Sequence, residues 1–286
     1  MNTKDYLIEL YCSISRFYDT LSWEFMQRIS NNSCPKFSDA EALSILFFWL
    51  KLGVCELKQM HSLTKDFLDG WFPKLPNYQN FVRRIAFLAP LIEYLLTEKI
   101  RNEYLPACPE FVLDSMPITV AKGCRSSTAK TADELCNKGY CASKDTYYYG
   151  PKLHCFALKQ GKKQPKPLNA WISKASENDL TSAKENLNIP ANSKVYVDKA
   201  YIDSKWFEEL RKKNVQIIAP KKLKKGQEKL VFFDRLFNKM VSSVRQGIEQ
   251  LFSWLETKTR LNNASKVRSV DGLRSFIAAR LAMLYF

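Results

Sequence analysis

The apolar residues of this chain change their period at Pro109, and that change dictates two kinds of structure in one polypeptide. Upstream, the pattern is helical. Ser38-Asp39-Ala40-Glu41 reads as a capping box, in which Ser38 satisfies an amide at a helix start and Glu41 reaches back, and the apolar run 42–52 follows it to a stop at Gly53. The Pro-punctuated stretch 72–77 is a turn, and Asn77 is placed to cap a helix carrying Phe81, Val82, Ile85 and Leu88 on one face, with Arg83 and Arg84 projecting from it. Helix, turn and basic second helix form the outline of a helix-turn-helix, an outline that many plain bundles share. Downstream, 111–120, 147–159, 168–175, 194–202 and 215–220 are short segments rich in Val, Ile, Tyr and Phe between turn-forming residues, and they are expected as strands. Helical spacing appears at 177–187 and 203–213, between the last three of these strands, then at about 234–259 and at 270–286. Three strands followed by helix, strand, helix and strand imply a mixed sheet with helices on its faces. The expectation is an α/β protein: a helical region over 1–105, for DNA binding or oligomerisation, and a mixed-sheet domain over 106–286 with a basic insertion at about 121–146.

Charge divides the chain at nearly the same place. Residues 1–110 hold 12 basic and 13 acidic side chains, while 111–286 hold 32 and 16, so the second part carries +16 and the first −1 of the net +15. An asymmetry of this size points to a polyanion, and nucleic acid is the commonest partner of a basic domain. Arg83 and Arg84 on the helix, Lys122 and Arg125 in the insertion, Lys152 and His154 on the second strand and Lys199 on the fourth are candidate DNA contacts. So are the loop lysines Lys221, Lys222, Lys224 and Lys225, which precede the long helix. At 46% hydrophobic and 26% charged residues the composition is globular, which excludes collagen-like, low-complexity and wholly disordered chains. The longest apolar stretch, 42–50 interrupted by Ser44, falls short of the ~20 residues that span a bilayer, so a cytoplasmic protein with no membrane partner is expected. Eight cysteines form no CxxC pair and read as reduced thiols. With two histidines in the chain, any metal must be held mainly by oxygen.

Three acids stand out. Asp114 lies within Val112-Leu113-Asp114-Ser115-Met116 and Asp198 within Val195-Tyr196-Val197-Asp198-Lys199-Ala200-Tyr201. A carboxylate inside an apolar strand costs free energy unless it is paired, hydrogen-bonded or bound to a cation. Glu249 follows Arg245 by four residues on the long helix, where a surface ion pair worth about 0.3 to 0.5 kcal/mol is the plain alternative. Acids from two strands and a helix make a hard oxygen site suited to Mg²⁺ or Mn²⁺, and two such ions, about 3.5 to 4 Å apart, serve phosphodiester chemistry.

At these residues the chain resembles the DDE transposases of bacterial insertion sequences, whose catalytic domain has the fold of ribonuclease H and retroviral integrase. The resemblance rests on Leu113-Asp114-Ser115, on Val197-Asp198-Lys199-Ala200-Tyr201, on Arg245-Gln246-Gly247-Ile248-Glu249 with the following Gln250-Leu251-Phe252, and on Gly150-Pro151-Lys152-Leu153-His154, similar to a Gly-x-Lys-Leu-His run. It implies a ribonuclease H-like sheet, Asp114, Asp198 and Glu249 as ligands of two Mg²⁺ or Mn²⁺ ions, and Arg245 assisting them. The activity implied is binding of terminal inverted repeats, cleavage and strand transfer into target DNA, by a homodimer or larger assembly. The related signature has Tyr three residues before the Arg and Lys seven after the Glu; this chain has Ser242 and Glu256 there, with Lys258 the nearest basic substitute and Glu256 a competing third acid. A structure-selective nuclease of the same fold and a catalytically inactive DNA-binding relic are the alternatives.

Overall fold

The computed structural model describes residues 3–21, 36–101, 105–141, 144–161, 163–223, 227 and 229–286. The chain divides into two compact units, residues 1–99 with 258–261 and 267–286, and residues 100–257 with 262–266.

The first unit is helical, with α1 (Thr3–Asp19), α2 (Asp39–Lys51), α3 (Leu57–Phe67), α4 (Tyr78–Phe87) and α5 (Ala89–Arg101). The capping box at Ser38 forms: Ser38 Oγ accepts from the Glu41 amide at 3.2 Å and the Ser38 amide donates to Glu41 Oε2 at 2.6 Å. Because α2 is apolar nearly all round, it is buried nearly all round. Asn77 caps α4 through its side chain, and Phe81 and Ile85 face inward. The final helix of the chain, over residues 270–282, joins this unit. It packs on the α2 and α4 helices, and Arg274 pairs with Glu93. Sequence patterning set the boundary near residue 105 and left that helix with the sheet domain, whereas the helix, with Leu273, Ile277 and Leu281 buried, groups with the first unit through its packing on α2 and α4. Arg280, also buried, donates to the carbonyls of Thr259, Phe276 and Cys55 at 2.8–3.0 Å, and its desolvation lowers its pKa to about 9.

The second unit runs β1 (Glu110–Pro117), β2 (Ala121–Lys122), β3 (Asn137–Cys141), β4 (Thr146–Gln160), β5 (Lys163–Lys174), α6 (Asp179–Asn186), β6 (Lys194–Tyr196), α7 (Ser204–Arg211), β7 (Gln216–Ile218) and α8 (Phe232–Thr259), with α9 (Val270–Ala282) being the helix already described. Its main sheet has the order β5-β4-β1-β6-β7; β5, β4 and β1 are antiparallel, and β6 and β7 run parallel to β1. This is the mixed sheet flanked by helices that the sequence implies. Phe111 and Leu113 of β1, with Phe156, Leu158 and Trp171, pack under Ala183 of α6 and Trp206 and Leu210 of α7. Side chains alternate along a strand, so Asp114 points to the opposite face.

Two details differ from expectation. The fourth strand stops at Tyr196, because the chain turns through a short 3₁₀ segment, Lys199–Tyr201, immediately after Asp198. The basic insertion, to which the sequence assigned no strand, contains two short strands, β2 and β3, paired to the first residues of β4. Close backbone approach there requires glycine: a Cβ on Gly150 would lie 1.9 Å from the Ile118 carbonyl oxygen, and one on Gly139 would lie 2.5 Å from Ala175 Cβ.

Candidate active site

Asp114 stands on β1, the central strand, where β4 and β6 pair on either side. Asp198 stands two residues past the end of β6, at the carboxyl edge of the parallel part of the sheet, the edge where open α/β sheets place ligand-handling groups. One side chain of α8 joins them. Arg245 Nη2 donates to Asp114 Oδ2 at 2.9 Å and Nη1 donates to Asp198 Oδ1 at 3.2 Å. Gly247, two residues on, lets α8 lie close to β5, since a Cβ there would already be 3.0 Å from Pro165 Cγ.

The electrostatics are unbalanced. Two carboxylates share one guanidinium, which is 13% exposed; Asp114 is 19% exposed and Asp198 44%. Burial raises the pKa of Asp114, against the lowering effect of Arg245 and of the Ser115 amide, which donates to Asp114 Oδ1 at 2.9 Å. Among the described residues Arg245 Nε is buried without a hydrogen-bond partner. Tyr201 is buried beside the pair, and burial first, then the charges of Asp179 and Asp114, push its phenol well above its ordinary value.

A family model described as Transposase DDE domain matches residues 109–286. The chain belongs to that family. No curated protein and no solved structure matches it. The matched span opens just before β1 and contains Asp114, Asp198, Arg245 and Glu249. Membership makes the chain a transposase- or nuclease-type enzyme with DNA as its substrate class, in a family that uses divalent metal ions. Among the described residues no helix is long and apolar enough to cross a membrane.

The transposase donor set fits such an ion in part. Two carboxylates, Asp114 largely buried and Asp198 open to solvent, share one guanidinium and leave one negative charge uncompensated, and oxygen-only donors suit a hard divalent cation. Glu249 lies one helical turn from Arg245, about 6 Å of rise along α8, and is exposed. Arg245 brings Asp114 and Asp198 together, and among the described residues no group of three or more His, Cys, Asp or Glu is placed to hold a metal. Glu256, the competing third acid, pairs with Lys144 at 3.1 Å.

The candidate DNA contacts separate into two groups. Arg83, Lys122, Arg125, Lys199, Lys221, Lys222 and Lys258 are exposed. The loop holding Lys221 is clamped by Asn238 of α8, which bonds its backbone amide at 2.7 Å and its carbonyl at 3.1 Å. Three others are committed inside the protein, contrary to the expectation that they reach DNA. Arg84 lies 2.7 Å from Asp39, Lys152 bonds Asp179 and the Glu177 carbonyl, and His154 is fully buried. The physical reason is the same in each case: a partner inside compensates a polar group that the fold has already desolvated. His154 stacks on Trp171 with ring centroids 5.0 Å apart and bonds Ser173 Oγ at 2.8 Å, and burial lowers its pKa to about 4, keeping it neutral. Lys224 and Lys225 lie outside the described residues. Asp179 was not singled out by the sequence, although its place after the capping residue Asn178 marks it as the first residue of a helix.

Proposed function

We propose that the chain is the transposase of a bacterial insertion sequence, which binds the terminal inverted repeats of its element, cuts a phosphodiester there and transfers the freed 3′-hydroxyl into target DNA. The observation that carries this reading is the single guanidinium shared by Asp114 and Asp198 within the span matched by the family model. Asp114, Asp198 and Glu249 are the proposed ligands of two Mg²⁺ or Mn²⁺ ions. When bound, such ions lower the pKa of an attacking hydroxyl or water and stabilise the leaving oxygen. Arg245 orients the two aspartates and, being cationic and partly buried, adds positive charge where phosphate charge develops. Lys199, next to Asp198 and exposed, is the proposed phosphate holder near the cut, while Lys122, Arg125, Lys221, Lys222 and Lys258, also exposed, are proposed to hold the duplex by its backbone. Arg83 and the helical unit serve end binding or assembly. Joining two ends calls for a homodimer or larger assembly, working in the cytoplasm on the nucleoid.

The test is cleavage of labelled duplex carrying the ends of the element that encodes the chain, with Mg²⁺, Mn²⁺ or EDTA, for the wild type and Asp198→Asn in parallel. Metal-dependent nicking and joined products from the wild type only are expected. Nicking without joined product would reduce the activity to that of a nuclease, and tight DNA binding without any cutting would overturn the reading.

A further inference from the structure

Asp114 and Ser115 are neighbours on β1 and face opposite sides of the sheet. What holds Ser115 therefore holds Asp114 from behind. On that far side Ser115 Oγ donates to Asp179 Oδ2 at 3.1 Å, while Lys152 Nζ donates to Asp179 Oδ1 and to the Glu177 carbonyl. Ser115 comes from β1, Lys152 from β4 and Asp179 from the first turn of α6, and the register pairs Ser115 with His154 and Pro117 with Lys152. One carboxylate thus ties two adjacent strands and a helix at the residue after Asp114. The Ser115 peptide is held twice, by its hydroxyl to Asp179 and by its amide to Asp114 Oδ1 at 2.9 Å, so turning it would disturb both. A second bond fixes α6 against β5, the strand on the other side of β4: Trp171 Nε1 donates to Ser182 Oγ at 2.9 Å, with His154 of β4 stacked on the Trp171 ring.

Lys152 and Asp179 are mostly buried, and a desolvated ion pair adds little stability over apolar residues of the same volume. What such a pair supplies is orientation, as partners behind a ligand do in metal sites. We propose that Asp179 is a positioning residue which, through Ser115 and Lys152, sets the carboxylate of Asp114 for divalent cation binding. This rests on the proposed reading of the site.

The experiment uses the full chain as wild type, Asp179→Ala, Asp179→Glu and the charge-neutral double variant Asp179→Ala with Lys152→Met. Four quantities are measured: Mn²⁺ binding by direct titration, cleavage of end-carrying duplex across a Mn²⁺ series, duplex binding by gel shift, and melting temperature. Asp179→Ala is expected to bind Mn²⁺ about 10- to 100-fold more weakly and to cut correspondingly slowly at low Mn²⁺, with partial recovery at high Mn²⁺ and unchanged duplex binding. Asp179→Glu is expected to regain part of the loss, and the neutral double variant none. Unchanged Mn²⁺ affinity in Asp179→Ala overturns the proposal. So does recovery in the double variant, which would make the effect one of charge, or a loss that only tracks the fraction unfolded. A wild type that neither binds Mn²⁺ nor cuts removes the reading of the site itself, and is distinguished because the failure is then in the unmutated protein.

Discussion

Each unit of this protein contains an aspartate desolvated against an arginine, and the two arrangements differ in charge balance and access. In the helical unit Asp39 is 1% exposed and Arg84 15%; the guanidinium faces that one carboxylate, whose other oxygen accepts from the Tyr18 hydroxyl at 3.0 Å. In the sheet unit one guanidinium faces both Asp114 and Asp198, and Asp198 remains 44% exposed. Burial raises the pKa of both Asp39 and Asp114, so desolvation alone does not separate them. The difference teaches that a buried acid signals chemistry where its charge is left uncompensated and reachable from solvent, and signals architecture where it is matched and enclosed.

Breaking the enclosed pair is expected to have the largest effect on folding. Asp39→Ala leaves Arg84 buried and unpaired and is expected to cost about 3–5 kcal/mol, read as a lower urea midpoint. A smaller loss would mean that the pair is less enclosed than Asp114 and Asp198 are, and the comparison would fail. For the open pair, Asp198→Asn is expected to lower cleavage at least about 10²-fold while leaving the fold and duplex binding intact. Mn²⁺ at a hundredfold excess over its Kd is expected to stabilise the wild type by about 2.7 kcal/mol and Asp198→Asn by much less, which a melting curve with and without Mn²⁺ would show.

The buried imidazole beside the sheet site sharpens the contrast through pH. The folded pKa of His154, about 4, lies below its unfolded value, so the unfolded chain binds the extra proton first. Its contribution to stability is complete above the ordinary histidine range and is lost as pH falls from there toward about 4, by up to about 3 kcal/mol. His154→Gln is expected to flatten that part of the curve of stability against pH; an unchanged slope would show that the ring is charged in the folded protein. The smallest effect is at the helix cap. Ser38→Ala removes the acceptor of the Glu41 amide, with an expected cost of about 1 kcal/mol in the urea midpoint and no change in cleavage.

Local patterns were legible wherever the physics is local. Ser38 and Glu41 form the box their spacing predicts, Asn77 caps α4, and the β1 and β4 strands fall where apolar periodicity placed them, while β5 begins at Lys163, five residues before the expected 168. Asp114 and Asp198 were conspicuous because an acid in an apolar strand needs a partner, whatever that partner is. The short strands of the insertion were illegible, because two- and five-residue strands that pair with the start of β4 carry no period of their own. Arg84, Lys152 and His154 looked like DNA contacts because a basic side chain reads alike in sequence whether it meets solvent, an aspartate or a tryptophan ring. Sequence by itself determined the two structural regimes, the charge they carry and the acids that demand compensation, since these follow from residue type and spacing along one chain. Only the tertiary structure decided which arginine meets which acid, and that Asp179 stands behind Asp114, because these contacts join residues 45 to 131 positions apart whose proximity is set by strand register and helix packing.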